Sequence, residues 1–558
     1  MSLLVLPTEL LLSILDSLNK ASDILSLCLT HPSLYARLLR ALYIFDIKWQ
    51  DSSALHWAAS HGNLRLARIL GFYGANINSL IQGVPPLHHA VSCQQTNLIK
   101  WFLSWDHLDI NVQDPFYKTA LHHAVLKNNE EAVALLLQKE NINVNKQDID
   151  GMTPLHRAIL RGNLSIIQQL LNYSSIDLEL RGMDSHWGIY DESPPLCLAV
   201  MRGELDIVRL LLLFPINVNN CDGDGKSALH LAVKNADYNL VQLLLDHPGI
   251  DPNIQDDDDE NTSAIHIAAQ GGHQSIIKLL LSHQGINPNI QDDLGDTALH
   301  IAARFGHQPI AKLLLNEPGL EMNIRDHHGQ TPLWWATKNN HLSLAKQLLA
   351  DSDVDVNAVG QDASTSLHHA VENQSSHLVM LLLCANGIDV NIRDQSGKTP
   401  LECAAYRGDI QMVEILLLSS TIKIEPALGR AAERGHIQIV KLLRQRRPNA
   451  NLNFRNGSGM TALAQAAFSG HSNIVNYLLQ RRHIDVNLHD YDRCTPLWWA
   501  AKRGHMDIVV QLANDSRTVF NSEIHRCPRK EAAYWGHSDI ANLLTYVIDK
   551  KNPLTLLD

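Results

Sequence analysis

Apolar positions along the chain fall into pairs of short stripes separated by polar breaks, and the pairing recurs. Between Asp292 and Asn323, Leu299, Ala302 and Ala303 form one stripe, and Ile310, Leu313, Leu314 and Leu315 form a second. Both have the three-to-four-residue spacing of a helix face. Asp292-Asp293-Leu294-Gly295 is a turn signal, with Gly295 suited to positive φ, and Thr297 is placed to cap the first helix. In sister stretches Pro154, Pro332, Pro400 and Pro496 take the next position, where the first turn of a helix loses nothing by lacking an N–H. Gly306-His307 is expected to end the first helix, and Pro318-Gly319 the second. Neither helix is long enough to be stable alone. Each needs a neighbour on both sides, so the pattern predicts a solenoid.

The leading apolar residues set the period: Leu299, Leu333, Leu367 and Leu401 are 34 apart each time. About fifteen such units run from roughly residue 50 to 547, the last a degenerate one at Glu531–His537. The order of landmarks, T-A/P-L-H as in Thr119-Ala120-Leu121-His122, then A-A, G-H and V-N, resembles the ankyrin repeat. The resemblance implies an all-α ankyrin-repeat solenoid of helix–turn–helix units, β-turn fingers and a concave binding face. The period breaks twice. From Leu155 to Leu196 is 41, giving a longer finger near Gly182–Ser193 that carries Trp187 and Tyr190, either a contact loop or a tolerated insertion. From Leu401 to Leu428 is 27, so a finger is shortened around Ser419–Glu425, which is expected to bend the array.

The repeat changes how the composition reads. Thirty histidines among 558 residues suggest metal or acid–base chemistry. Eight of them, however, follow the motif leucine or isoleucine: His56, His88, His122, His156, His230, His266, His300 and His368. Eight more, His273, His307, His341, His377, His436, His471, His505 and His537, take the G-H position. The ankyrin resemblance implies local hydrogen bonds that tie adjacent turns. His89, His123 and His369 directly follow motif histidines. A metal would need ligands from separate units to converge, so neither a metal nor another cofactor is expected.

A net charge of −12 argues against sequence-independent nucleic-acid binding and against adhesion to anionic membranes. The eight cysteines are scattered, with no CxxC spacing, which fits a reducing compartment. No apolar run reaches the roughly 18–20 residues that span a bilayer, and a cytoplasmic or nuclear location is expected. No HExxH, GxSxG or GxGxxG context appears, and no enzyme is expected. Gly223-Asp224-Gly225-Lys226-Ser227 ends like a phosphate-binding loop but lacks the upstream glycine, and its letters are the repeat's own. The acidic run Asp256–Glu260 reads as a solvated finger tip.

Residues 1–45 do not follow the period. Leu6-Pro7-Thr8-Glu9 opens an amphipathic stretch of Leu10, Leu11, Ile14 and Leu15, and two more short apolar helices follow. The order L-P-x-E-L-L-L-x-I-L, a D-I/L-L-x-L helix and a final S-L-Y helix resembles the F-box. That resemblance implies docking on the small adaptor of a cullin–RING ubiquitin ligase, with Leu6, Pro7, Leu10, Leu11, Ile14 and Leu15 as docking residues. The other reading is a helical cap that shields the first repeat. The expected organisation is a helical module over 1–45, an ankyrin array over 50–547 and a tail over 548–558.

In ankyrin arrays the end of the first helix lines the groove, and in this acidic chain it is basic. Arg304, Lys338, Arg407, Arg434, Lys502 and Arg503 form a column, with Phe305, Tyr406, Phe468 and Trp535 as aromatic anchors. One reading is complementarity to the helix macrodipole. The other is a groove for an acidic or phosphorylated segment of an unidentified protein partner. The function expected is a non-catalytic substrate receptor of a cullin-type ubiquitin ligase, or else an ankyrin scaffold that only binds.

Overall fold

The computed structural model describes residues 43, 46–47, 52–184, 189–257, 260–520 and 526–551. It divides into two compact units, Met1–Asn287 and Pro288–Asp558. In the first unit the described residues form seven helix pairs, from Ser53–His61 with Leu64–Phe72 to Ala264–Gln270 with Gln274–Ser282. In the second they form eight, from Ala298–Phe305 with Gln308–Leu314 to Pro528–Tyr534 with Ser538–Lys551. The two expected stripes are therefore real helices. The docking residues Leu6, Pro7, Leu10, Leu11, Ile14 and Leu15 lie outside the described residues, as do Trp187 and the tail beyond Lys551.

Within a repeat, the first helix buries its leucine and paired alanines completely, as Leu299, Ala302 and Ala303 show. Gly306 ends that helix at φ 75°, a left-handed turn that costs a glycine little. The second helix ends earlier than expected: Gln308–Leu314 stops at Leu315, and Pro318-Gly319 belongs to the turn that follows. Its stripe is Ile310, Ala311 and Leu314, because the last turn rolls Leu313 and Leu315 partly out of the core.

Three sets of side chains stitch neighbouring repeats. The first is the motif histidine. In Ala120–Leu126, His122 Nδ1 accepts the Thr119 N–H at 3.1 Å, and Thr119 Oγ1 accepts the His122 N–H at 3.4 Å, a reciprocal capping box. The same imidazole then donates from Nε2 to the Met152 carbonyl of the next repeat at 3.0 Å. His88, His156, His300 and His368 repeat the long-range bond, to the carbonyls of Lys118, Ser193, Gln330 and Lys398. This double use fixes a neutral imidazole with its proton on Nε2. Burial, the largest cause, holds His56, His88, His122, His156 and His300 at about 4, well below the ordinary 6.5.

The second set is the G-H histidine. His341, His436, His471, His505 and His537 each donate to a carbonyl at the end of the preceding first helix, at 3.0–3.2 Å. The third set was not anticipated: the V-N asparagine forms a ladder. Asn357 donates its side-chain amide to the Gly387 carbonyl at 2.8 Å and accepts the Asp389 N–H at 2.8 Å. Asn323, Asn391, Asn453 and Asn487 do the same in their repeats.

Several fingers are built on a buried acid. Asp326 Oδ1 accepts the N–H groups of His328 and Gln330 at 2.9 and 2.8 Å, a turn that a short side-chain acceptor stabilises locally. The longer finger of the first unit is a two-stranded antiparallel hairpin, Gly182–Asp184 with Ile189–Ser193. Its first strand follows Glu179, which stands where neighbouring repeats have asparagine. Its carboxylate accepts from Asn217 N–H at 2.9 Å and Asn220 Nδ2 at 2.6 Å.

Candidate partner-binding surface

The first helices also carry the candidate surface, and its chemistry begins two residues past the motif leucine. That side chain turns back to the acid of its own finger. His123 Nε2 lies 2.9 Å from Asp114 Oδ2, and Arg157 Nε donates to Asp148 at 2.7 Å. In two repeats of the second unit the position is tryptophan. Trp335 Nε1 donates to Asp326 Oδ2 at 3.0 Å, and Trp499 Nε1 donates to Asp490 Oδ2 at 2.8 Å. Anchored at its N–H edge, each indole offers a face to neighbouring cations.

The column of cations is thus a set of cation–aromatic stacks. Arg304 lies over Trp335 at 4.1 Å, and Lys338 over Trp334 at 4.4 Å. Arg434 lies over Tyr406 at 4.0 Å and also hydrogen-bonds its hydroxyl; Lys398 approaches the same ring at 5.0 Å. Farther along, Phe468 meets Trp499 edge-on at 4.9 Å while Arg503 covers Phe468 at 4.1 Å. Lys502 reaches the rings of Trp498, Trp499 and Trp535 at 4.9, 5.5 and 5.3 Å. Phe468, Lys502, Arg503 and Trp535 are thereby brought together, and so are Tyr406 and Arg434.

Other candidates stand apart. Arg407 does not face this surface as a free cation: its guanidinium donates to the carbonyls of Glu372 and Val371 at 2.9 and 3.4 Å, capping the previous first helix. Phe305 is 50% exposed and stacks on His307. Arg304 also pairs with the buried Asp296, whose carboxyl burial raises to about 6 against the pull of that arginine. Glu531 sits 3.9 Å from Lys502 and accepts from Trp535 Nε1 at 2.8 Å. Part of the positive charge is consequently answered inside the protein. The missed residues are Trp335, Trp499 and Lys398; the signal was the W-W doublet that replaces histidine in T-P-L-W-W at 331–335 and 495–499.

The same replacement loses the reciprocal capping box and keeps the bond to the next finger. Trp334 stands where other repeats have the motif histidine, and its Nε1 donates to the Ser364 carbonyl at 3.0 Å, taking over the bond to the next finger. At Cys197 the thiol takes the position and lies 3.9 Å from the Lys226 carbonyl. Burial pushes the thiols of Cys403 and Cys494 up to about 11 and about 12, so both stay protonated at neutral pH. Among the described residues, no three His, Cys, Asp or Glu side chains converge as a metal site would require. Among them too, no helix is long and apolar enough to cross a membrane.

Helix pairs with a shared capping box, a finger turn and a fixed set of inter-repeat ties agree with sequence families. Models described as ankyrin repeats (3 copies) match residues 25–114, 87–182, 181–256, 265–359, 333–426 and 420–490. An ankyrin-repeats (many copies) model matches 236–281, and a single ankyrin-repeat model matches 492–518. The chain belongs to the ankyrin-repeat family. Its ankyrin repeats support a protein–protein interaction role.

Individual relatives add little beyond that. Rabankyrin-5 of Mus musculus is 38% identical over 66 residues, 12% of this chain and 6% of that protein, and the Homo sapiens protein matches equally. A probable serine/threonine-protein kinase of Dictyostelium discoideum is 37% identical over 67 residues, 11% of this chain and 8% of its own length. The chain thus spans less than a tenth of the curated relatives it matches. The solved ankyrin repeat domain of Bcl-3, a member of the IkappaB protein family, is 29% identical, with 40% of this chain and 98% of that one covered and a TM-score of 0.36.

Proposed function

We propose that this chain is a non-catalytic substrate receptor of a cullin–RING ubiquitin ligase, its repeats holding a protein substrate and its amino-terminal segment docking on the ligase adaptor. The observation that carries the substrate-binding half is the set of cation–aromatic stacks on the first helices. Large, rigid, amphipathic side chains with paired cations are the residue types that dominate binding energy at protein interfaces. The substrate presents acidic and apolar groups there, and its acids compete with Glu531 and Asp296 for Lys502 and Arg304. The ligase half rests on the order Leu6-Pro7-Thr8-Glu9-Leu10-Leu11 and the apolar Ile14 and Leu15 behind it.

Co-purification of the full chain with the adaptor and the cullin tests the ligase half. The intact chain is expected to recover both, and Leu10→Asp with Leu11→Asp to recover neither. No recovery by the intact chain turns the reading to a scaffold that only binds. The substrate half is tested by Lys502→Glu with Arg503→Glu on whatever protein the intact chain captures. Unchanged capture by a folded variant refutes the first-helix surface.

A further inference from the structure

A basic cavity opens beside the ends of two second helices of the second unit. Between the loop Pro448–Asn453 and the segment Gln480–His483 lies a cavity of 570 Å³, lined by Arg444, Arg481, Arg482 and His483 and by no carboxylate. A second cavity of 440 Å³ shares Pro448, Asn449 and Ala450 and adds Lys423, Arg446 and Arg447, with Glu425 as its one carboxylate. In a chain of net charge −12 this concentration of arginine is local and opposite in sign to the whole.

The cations differ in what already holds them. Arg444 is fixed by donating to the Pro448 and Ala450 carbonyls at 2.7 and 3.3 Å. Arg481 is laid over Tyr477 at 4.2 Å, and its Nε is buried with no hydrogen-bond partner. Arg482 and Arg446 are exposed at the two rims. Two pre-set guanidinium groups and a rim arginine, with no acid among them, suit an anion with several acceptor oxygens. Arginine forks match phosphate oxygens in paired hydrogen bonds. A space of this size is in the range that accepts a small organic ligand or a side chain with its flanks.

We propose that this cavity is a phosphoryl-group site, filled by a phosphorylated side chain of a partner protein or by a small organic phosphate. It lies at the carboxyl ends of the second helices Ile437–Arg446 and Ser472–Leu479, so it does not depend on the first-helix surface. The test uses the full chain and two fluorescent pools of degenerate peptides, one with a fixed phosphoserine and one with a fixed serine, together with pyrophosphate. Anisotropy should rise with the phosphoserine pool and not with the serine pool, or heat should be released on adding pyrophosphate. Binding of pyrophosphate without binding of the phosphoserine pool assigns a small-molecule source; binding of the phosphoserine pool, displaced by excess pyrophosphate, assigns a protein source, and a phosphoserine pool that pyrophosphate cannot displace lies outside this cavity and counts against the proposal.

Arg481→Glu with Arg482→Glu should weaken whichever probe binds by about tenfold or more, and Lys278→Glu, at an exposed position of the second helix Gln274–Ser282 in the other unit, should leave it within about twofold. Arg482→Gln serves if the double reversal disturbs the circular-dichroism spectrum, with a smaller loss in the same direction. The proposal is overturned if neither the phosphoserine pool nor pyrophosphate binds, or if the folded arginine variants bind as the unaltered chain does.

Discussion

Two stretches of the second unit, one regular and one broken, show what the repeat's ties depend on. From Leu299 to Leu401 every unit has a finger, and each finger receives a donor from the unit before it: His300 to Gln330, Trp334 to Ser364, His368 to Lys398. At Leu428 the finger is gone and the helix Glu425–Arg434 starts directly from the loop with no side-chain cap. There is no finger carbonyl for a donor to meet, and the residue at the donor position is an acceptor. Glu402 closes the capping box with Thr399 and faces Arg393 at 3.1 Å and Arg430 at 3.8 Å. One unit later the motif position is Gly429, where a Cβ would lie 2.2 Å from Gln465 Oε1. Asn391 still reaches the Thr421 carbonyl and the Lys423 N–H, but the next rung is missing until Asn453, and Arg447 adds a tie beside Asn391 by donating to the carbonyls of Ser419 and Ser420 at 3.1 and 3.3 Å. Each tie is thus specified by the geometry it serves: remove the finger, and the side chains that served it change type.

Acid should break this comparison most severely. The unfolded imidazoles titrate near 6.5, and those of His88, His122, His156 and His300 are held at about 4 when folded. Between those values the unfolded chain binds more protons, so this stability is complete above about pH 6.5 and is lost as pH falls toward 4. Each such histidine is worth on the order of 3 kcal/mol at neutral pH. Hydrogen exchange along an acid titration should show protection lost first in the units of Leu121, Leu155 and Leu299, and last around Glu402. Uniform loss across all units would sink the assignment. The next largest effect is His300→Ala. It removes a fully buried ring, frees the Thr297 N–H and the Gln330 carbonyl, and should cost about 3–5 kcal/mol by urea unfolding. Glu402→Ala, with no finger to release, should cost about half of that.

The period, the leucine core, the threonine caps and the left-handed glycines were legible because they recur within one repeat and follow local rules. Thr297, Leu299 and Gly306 each declare their role by type and position. The ties were less legible because their partners lie about 30 residues away, and one repeat read alone does not say which atom faces the next. In the sequence Trp334 only marks the absence of the motif histidine; the position of the Ser364 carbonyl shows that an indole N–H does the histidine's work. The cation column was visible as charge, but its stacking was not. Trp335 and Trp499 face it because Asp326 and Asp490 hold their N–H edges, and that depends on how the finger folds back over its helix.

A smaller effect separates backbone from packing at two left-handed glycines, Gly306 between the helices of a unit and Gly397 in a finger. Gly306 and Gly397 have φ of 75° and 73°, so alanine is strained at both. At Gly306 an added Cβ would also lie 2.6 Å from His341, whereas at Gly397 nothing lies within 4 Å. Gly397→Ala should cost about 1 kcal/mol, the backbone term alone, and Gly306→Ala should cost about 2–3 kcal/mol because it also displaces the imidazole from the Arg304 carbonyl. Equal costs in urea unfolding would mean that His341 yields freely and that the second set of histidines ties nothing.

The smallest effect sharpens the comparison at the ladder itself. Asn357→Ala deletes two exposed hydrogen bonds, to the Gly387 carbonyl and from the Asp389 N–H. Water can replace both, so the expected cost is about 1 kcal/mol. Arg447→Ala should cost a similar amount by losing the Ser419 and Ser420 carbonyls. Arginine and asparagine are not interchangeable in reach, since the arginine bridge comes from the end of a second helix and the asparagine bridge from the strand-like entry to a finger. Arg447→Asn should therefore be as costly as Arg447→Ala, because the shorter amide cannot reach from the end of one second helix to the carbonyls that end the one before it, a tie that Arg517 makes in the same way to Leu479 and Arg481. If Arg447→Asn restores the unaltered midpoint, the broken junction is an ordinary rung of the ladder, and its arginines are free of structural duty.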